Sequence, residues 1–271
     1  MTKLIAHLSD LHLLGRPSSS RTVDPRTQLV SIGRPLDSPS RYRRLARALG
    51  RAVEARADHV VLSGDLTELG RAHQFDELAE ALADSEIPPD RVTIVPGNHD
   101  RYGDVRAFDR AMEGVLAPWA RNASDVPGKV IDLGTVCLLP LDVTISQSVA
   151  RSRGVFSEAM GHAVKRRLAT FRQSQRVAIV QHHPPIVRNP LVHWFHGLVG
   201  ADLERSLLDE RVQVLHGHTH DAVSEPLDGR AHALLGASAT VEDADDTPRV
   251  NLYWVGDAGL EPVYLATRYA A

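Results

Sequence analysis

Five short words in this chain carry side chains that could do chemistry together. Asp10 and His12 stand two residues apart in "LSDLHLLG", just after the apolar run Leu4-Ile5-Ala6. Gly64-Asp65 and Gly97-Asn98-His99-Asp100 follow, then His182-His183-Pro-Pro, then His216-Gly217-His218-Thr219-His220. Asp and neutral imidazole suit borderline divalent metals such as Zn, Mn, Fe, Co or Ni. In D-x-H or H-x-H on an extended chain, the period of two aims both side chains at one face. Asp10, His12, Asp65, Asn98, His182, His218 and His220 make seven ligands. With one of them bridging, they fill four contacts on each of two metals. Two such metals can clamp the attacking and leaving oxygens of an in-line displacement.

These words must be positioned by elements, and the pattern supplies them. Short β-branched runs bounded by Gly, Pro, Asn or Asp recur at Lys3–Leu8, His59–Leu62, Val92–Val95, Val130–Leu133 and Thr135–Leu141. They continue at Val177–Val180, Val212–Leu215, His232–Leu235, Val250–Val255 and Pro262–Ala266. Helical spacing lies between them at Tyr42–Ala57 after Ser40 as a cap, and at Ala72–Ala83 and Val105–Leu116. It returns at Glu158–Phe171 after Ser157 and at Asp202–Leu208. Alternation in the first part predicts βαβ units with a parallel centre. The last three strands, joined by loops, predict an antiparallel edge or second sheet. All five polar words fall at predicted strand ends. In open α/β sheets, ligands bind outside the carboxyl ends of the strands.

Composition sets the frame. A chain of 271 residues with a net charge of −3 has no bulk attraction to nucleic acid or acidic membranes. One cysteine, Cys137, cannot form an intrachain disulfide and suits a reducing compartment. No apolar run approaches a membrane span, and the N-terminus does not resemble a signal peptide, so a cytoplasmic protein is expected. There are 14 histidines, six of them in the clusters His182-His183, His193/His196 and His218/His220. Gly15–Pro39, rich in Pro, Ser and Arg, is too long for an ordinary connection. It is expected as an insertion loop at about residues 15–40 of a single domain spanning 1–271, with Arg16, Arg21 or Arg26 as candidate anion contacts.

The ordered set D-x-H, G-D, G-N-H-D, H-x-P and G-H-x-H resembles the signature of calcineurin-like metallophosphoesterases, here spanning Asp10 to His220. The resemblance implies a four-layer αββα sandwich of two mixed sheets with flanking helices, and a dinuclear metal site at the strand ends. It implies that Asp10, His12, Asp65 and His220 hold one metal, with Asp65 bridging. Asn98, His182 and His218 then complete the second, His182 being preferred to His183 because it lies two residues before a proline. It also implies that His99 contacts the phosphoryl or leaving-group oxygen and that Asp100 orients it. Two carboxylates and a bridging hydroxide against two dications leave about one positive charge, suited to a phosphodiester monoanion and to in-line attack by that hydroxide.

Relatives divide by substrate. "GDLTELG" and "GNHD" depart from the protein-phosphatase words, and Glu68 stands where purple acid phosphatases carry a metal-binding Tyr. Only 51 residues follow His220, short for a DNA-capping region. The chain looks most similar to bacterial cyclic-nucleotide and glycerophosphodiester phosphodiesterases, with Mn, Fe or Zn as the metals and a small phosphoester as substrate. The alternatives are a pyrophosphatase cleaving nucleotide sugars or UDP-diacylglucosamine, a phosphomonoesterase, or a non-enzymatic metal-bound scaffold. Retention of His99 and all seven ligands favours an enzyme. His183 and His216 are compatible with plain packing, with a place behind the ligands or with function, and His193 and His196 in "HWFHG" with a pocket rim or a partly buried anchor; Cys137 reads as core, and homo-oligomerisation is left open.

Overall fold

The structure is a computed structural model that describes residues 3–15, 25–102, 104–124, 129–186, 190–243 and 247–265. The first half runs β1 (Lys3–Leu8), α1 (Pro25–Val30), α2 (Ser38–Glu54), β2 (His59–Ser63), α3 (Ala72–Asp84), β3 (Val92–Val95) and α4 (Ala107–Glu113). The second runs β4 (Ile131–Asp132), β5 (Val136–Pro140), β6 (Gly154–Val155), α5 (Glu158–Leu168), β7 (Arg176–Val180), α6 (Pro190–His196), β8 (Leu198–Val199), α7 (Ala201–Arg205) and β9 (Val212–His216). Four strands close the chain: β10 (Val223–Leu227), β11 (Arg230–Gly236), β12 (Asn251–Gly256) and β13 (Gly259–Tyr264).

Two mixed sheets result, ordered β13-β12-β1-β2-β3 and β10-β11-β9-β7-β5-β4. β1, β2 and β3 are parallel, as are β5, β7, β9 and β11, so the polar words of the central strands emerge at matching ends. Three apolar layers follow from strand alternation. Leu4, Ala6 and Leu8 of β1 pack with Leu45 and Leu49 of α2 and Phe75 and Leu78 of α3. Ile5, on the other face of β1, joins Val61, Leu138, Ala178 and Leu215 between the sheets. Ile179 and Val214 meet Met160 and Val164 of α5 on the far side. Each such buried leucine or phenylalanine contributes about 1.5–3 kcal/mol relative to exposure. The four-layer αββα order expected from the sequence is therefore the order found.

Several elements differ from the sequence expectation. The last three predicted strands do not form one antiparallel unit. β11 joins the second sheet parallel to β9, while β12 and β13 extend the first sheet antiparallel beside β1. β10, the two-residue pair β6–β8 and α6 were not expected. α2 begins earlier than Tyr42 because Asp37, not Ser40, is its cap: the Asp37 carboxylate accepts from the Ser40 N–H at 3.1 Å. Ser157 does cap α5, accepting from Met160 N–H at 3.2 Å. The Gly15–Pro39 stretch carries α1, and Arg26 on it is exposed. Arg16 and Arg21 lie outside the described residues. No helix among the described residues is long and apolar enough to cross a membrane.

Candidate metal centre

The polar words leave the sheets as loops that lock onto one another. Asp10, His12 and Leu13 donate their N–H groups to the carbonyls of Gly64, Asp65 and Leu66 at 2.9–3.0 Å, zipping the end of β1 to the end of β2. Asp100, fully buried, accepts from Leu66, Thr67 and Gly97 N–H and from the Thr67 hydroxyl at 2.7–3.1 Å. It thereby ties the third loop to the second. Gly97 is required by close approach: a Cβ there would stand 2.1 Å from Asp65 Oδ1. Gly217 is equally constrained, since a Cβ would meet Asp10 Oδ2 at 2.6 Å and Ser9 Oγ at 1.8 Å.

Side-chain convergence does not come from the strand period. Asp10, His12, Asp65, His218 and His220 all have left-handed backbone, with φ of 54°, 48°, 48°, 67° and 58°. The D-x-H and H-x-H pairs therefore sit past the strands, on tight turns. Such φ values are uncommon for residues other than glycine and cluster where a site demands them.

Three sets of side chains have ligand atoms close enough to hold a metal: Asp10 with His12 and His220, His12 with Asp65 and His99, and Asp65 with His182 and His218. His220 Nε2 lies 3.2 Å from Asp10 Oδ1, and His182 Nε2 lies 3.2 Å from Asp65 Oδ2. His12 Nε2 stands 3.9 Å from Asp10 Oδ1 and 3.8 Å from Asp65 Oδ2. Ligands about 2.1 Å from one ion stand roughly 3.0–3.4 Å apart, so the closer of these edges suit a coordination sphere. His12 Nε2 and Asn98 Oδ1 are buried and have no hydrogen-bond partner. A buried polar atom left in this way is costly, and a cation placed among them would remove that cost.

The other nitrogen of three of these imidazoles is held by a hydrogen bond. His182 Nδ1 meets the Ser63 carbonyl at 2.8 Å, His218 Nε2 the His196 carbonyl at 2.8 Å, and His220 Nδ1 the Glu242 carboxylate at 2.7 Å. Each must donate there, so that in the neutral ring the opposite nitrogen turns its lone pair toward the centre. His12 Nδ1 faces Glu68 Oε2 at 3.6 Å. Burial alone would raise the Asp10 and Asp65 carboxyls, but the facing histidines bring Asp10 down to about 2 and hold Asp65 well below the usual range. Against burial, Asp65 lifts His182 to about 9, and Asp10 with Glu242 lifts His220 to about 10. Burial instead drives His12 well down and His218 to about 3.

His99 Nδ1 donates to the Glu68 carbonyl at 2.8 Å, while its backbone N–H donates to Asp65 Oδ1 at 2.8 Å. The ring is thus oriented by Glu68, whereas the hydrogen bonds of Asp100 fasten loops. Burial and the Asp65 charge push the Asp100 carboxyl up to about 7. Glu68 is itself fully buried and paired with Arg34, at 2.7 Å, and with Arg41. Both arginines come from the stretch around α1 and α2, so part of the expected insertion braces the back of the site. Glu68, Glu242, Arg34, Arg41 and Tyr102 were not singled out as site residues in the sequence. Only the Glu68 position had drawn notice, as one without tyrosine.

A pocket of about 400 Å³ opens over Asp65, Asn98, His99, His218 and His220. Its opposite wall is Ser152, Pro184, Ile186, His193, His196 and Gly197. The "HWFHG" histidines are therefore pocket residues. His183 and His216 are buried, with His183 Nε2 on the Ser152 carbonyl at 2.8 Å and His216 Nδ1 near the Gly217 carbonyl at 3.1 Å. Cys137 is buried in β5.

Comparison with known proteins agrees with this geometry. The calcineurin-like phosphoesterase pattern matches residues 3–222. A "Probable cyclic nucleotide phosphodiesterase" of Rhodopseudomonas palustris is 28% identical over 161 residues, 59% of this chain and 55% of that protein. The chain thus spans about half the length of that relative. Among solved structures, a dimetal phosphatase of Danio rerio superposes with a TM-score of 0.68 at 15% identity, covering 93% of this chain and 92% of its own. A Thermus thermophilus protein does so at 0.56 and 12% identity, covering 98% of this chain and 100% of its own. At these identities the two structures show the fold. The chain belongs to the calcineurin-like phosphoesterase family.

Proposed function

We propose that this chain is a metal-dependent phosphodiesterase acting on small phosphodiesters. The observation that carries the reading is the position of Asp65. One carboxylate oxygen faces His12 on one side and His182 on the other, so two metal-capable sets share it. Asp10, His12, Asp65 and His220 would hold one ion, and Asp65, Asn98, His182 and His218 the second. When bound, two divalent ions supply Lewis acidity and lower the pKa of a shared water. The identity of the ions is proposed as Mn, Fe or Zn from the mixed O and N donors.

The chain's own residues account for the rest. Asp10 and Asp65 bring two negative charges against two dications, so the centre is cationic and attracts a phosphodiester monoanion. The loops that carry the ligands are fastened by Asp100, which keeps the donors from rearranging as charge shifts. His99 is held by Glu68 through Nδ1–H, so a second proton on Nε2 can be given to the leaving oxygen. The pocket of about 400 Å³ admits a small molecule, and the matched relative is named for cyclic nucleotides; both support a small diester over a polymer.

The test is hydrolysis of bis-p-nitrophenyl phosphate with added Mn²⁺ by the wild type, Asn98→Ala and His99→Ala. Both variants should fall by two orders of magnitude or more, about 3 kcal/mol of barrier. Absence of metal-dependent turnover in the wild type refutes the enzyme. A parallel screen of cyclic nucleotides, glycerophosphodiesters, nucleotide sugars and phosphomonoesters decides the class. Preference for a monoester would overturn the diester reading.

A further inference from the structure

An asparagine ligand has a problem that aspartate and histidine do not. The two ends of its amide have the same shape and opposite chemistry: Oδ1 can face a cation and the Nδ2 amino group cannot. Something must decide which way Asn98 points. Its Nδ2 donates to the Tyr102 hydroxyl at 2.8 Å. That hydroxyl donates in turn to the Arg151 carbonyl at 2.9 Å. A phenol has one proton, and the carbonyl can only accept it. The hydroxyl can therefore offer Asn98 only a lone pair, which selects the amino end of the amide. Asn98 Oδ1 is left buried and unpartnered, on the lining of the pocket.

The next residue along repeats the theme. The Ser152 carbonyl receives His183 Nε2 at 2.8 Å, and the His183 ring packs 5.0 Å from that of His182 and 4.3 Å from that of His218. Ser152 N–H donates to the Phe195 carbonyl at 3.1 Å, and Ser152 Oγ pairs with His196 Nδ1 at 2.5 Å. The carbonyl of the same His196 receives His218 Nε2 at 2.8 Å. Asn98 and His218 are thus tied by their outer polar atoms to one strap, Arg151–Ser152 with the end of α6. His182 is tied to Ser63 and touches the strap through His183. The other half of the site is built differently: His12 and His220 back onto Glu68 and Glu242.

We infer that Tyr102, anchored on the Arg151 carbonyl, is the positioning residue that makes Asn98 a ligand, and that it serves the second ion and not the first. The inference rests on the two-metal reading above and concerns metal affinity, independent of substrate. Because Ser152 and His196 also line the pocket, the piece that orients the second site is also the substrate wall.

The test is calorimetric titration of the metal-free protein with Mn²⁺. The wild type should take up two ions, and His220→Ala identifies which step belongs to the first. Tyr102→Phe keeps the ring and removes the hydroxyl. It should weaken the second step by about 10–100-fold, the usual effect of losing an outer partner. The first step should stay within about twofold, and saturating Mn²⁺ should restore kcat, which a folding defect would not allow. An Asn98→Asp background supplies the control, because a carboxylate presents oxygen whichever way it turns; there, adding Tyr102→Phe should cost almost nothing. Equal weakening of both steps, no weakening of either, or a penalty that persists in the Asn98→Asp background overturns the inference. Uptake of fewer than two ions by the wild type overturns the two-metal reading, and this inference with it.

Discussion

Glu204 offers a direct test of how the core beside the site is held. It lies on α7 and is fully buried. Oε2 accepts from Gln181 Nε2 at 3.0 Å, and Oε1 has no hydrogen-bond partner. Among the described residues no cation offsets the burial, which pushes the carboxyl up to about 8, with the Gln181 hydrogen bond a smaller opposing effect. The sign follows from proton linkage. Between about 4.5 and about 8 the folded chain keeps this proton and the unfolded chain has lost it. The stabilisation is complete below 4.5 and is lost as pH rises through 8. A displacement of that size corresponds to a loss on the order of 4–5 kcal/mol across the window. Glu204→Gln has the same shape, stays neutral and still accepts from Gln181. Urea unfolding at pH 5, 7 and 9 should show the variant gaining on the wild type as pH rises, by a few kcal/mol at pH 9 and little at pH 5. A difference that is flat with pH, or that shrinks as pH rises, refutes the neutral buried carboxyl.

Three other outcomes can be checked. Gly97→Ala would place a methyl 2.1 Å from Asp65 Oδ1, so metal content by elemental analysis should collapse, with affinity down by more than about a hundredfold. Glu68→Gln leaves the fully buried Arg41 without its carboxylate; it should cost about 3–5 kcal/mol and lower the Tm by roughly 10 °C in a thermal scan. Metal uptake should release protons, since His182 at about 9 and His220 at about 10 are protonated at pH 7.5 before the ions enter. Titrations in buffers of different ionisation enthalpy should show at least two protons released, one from each imidazole, and the affinity should rise with pH up to those values.

The ligating residues were legible because they differ sharply from what precedes them. Asp10 after Leu4–Leu8, Asp65 after His59–Leu62 and His182 after Val177–Val180 interrupt apolar runs that a buried strand would otherwise continue. Their supports were not legible, because nothing local marks them. Glu242 meets His220 across 22 residues, Glu68 meets Arg34 across 34, and Tyr102 reaches Arg151 across 49. Each of these is an ordinary polar residue until the fold brings its partner. The same holds for β11, whose apolar residues suit either sheet and whose parallel place beside β9 is set by the whole chain path.

The backbone of the ligands departs furthest from what the sequence suggested. Period-two alternation explains two side chains on one face only while the backbone is extended, and here five ligating residues are left-handed. A left-handed backbone costs an ordinary residue other than glycine about 1–2 kcal/mol, and less for Asp, which visits that region more readily. Several such residues keep facing one another where the surroundings are rigid. These loops leave the central strands β1, β2 and β9, which are buried on both faces within the three apolar layers. They are also clamped by the Asp100 hydrogen bonds and the zipped β1 and β2 ends. Single left-handed residues occur elsewhere, as at Asp228 in the exposed turn between β10 and β11, but there no second ligand has to be faced. The site therefore stands at the ends of the central strands for a mechanical reason as well as a topological one: the stiff scaffold there keeps the left-handed ligands facing one another before any ion arrives.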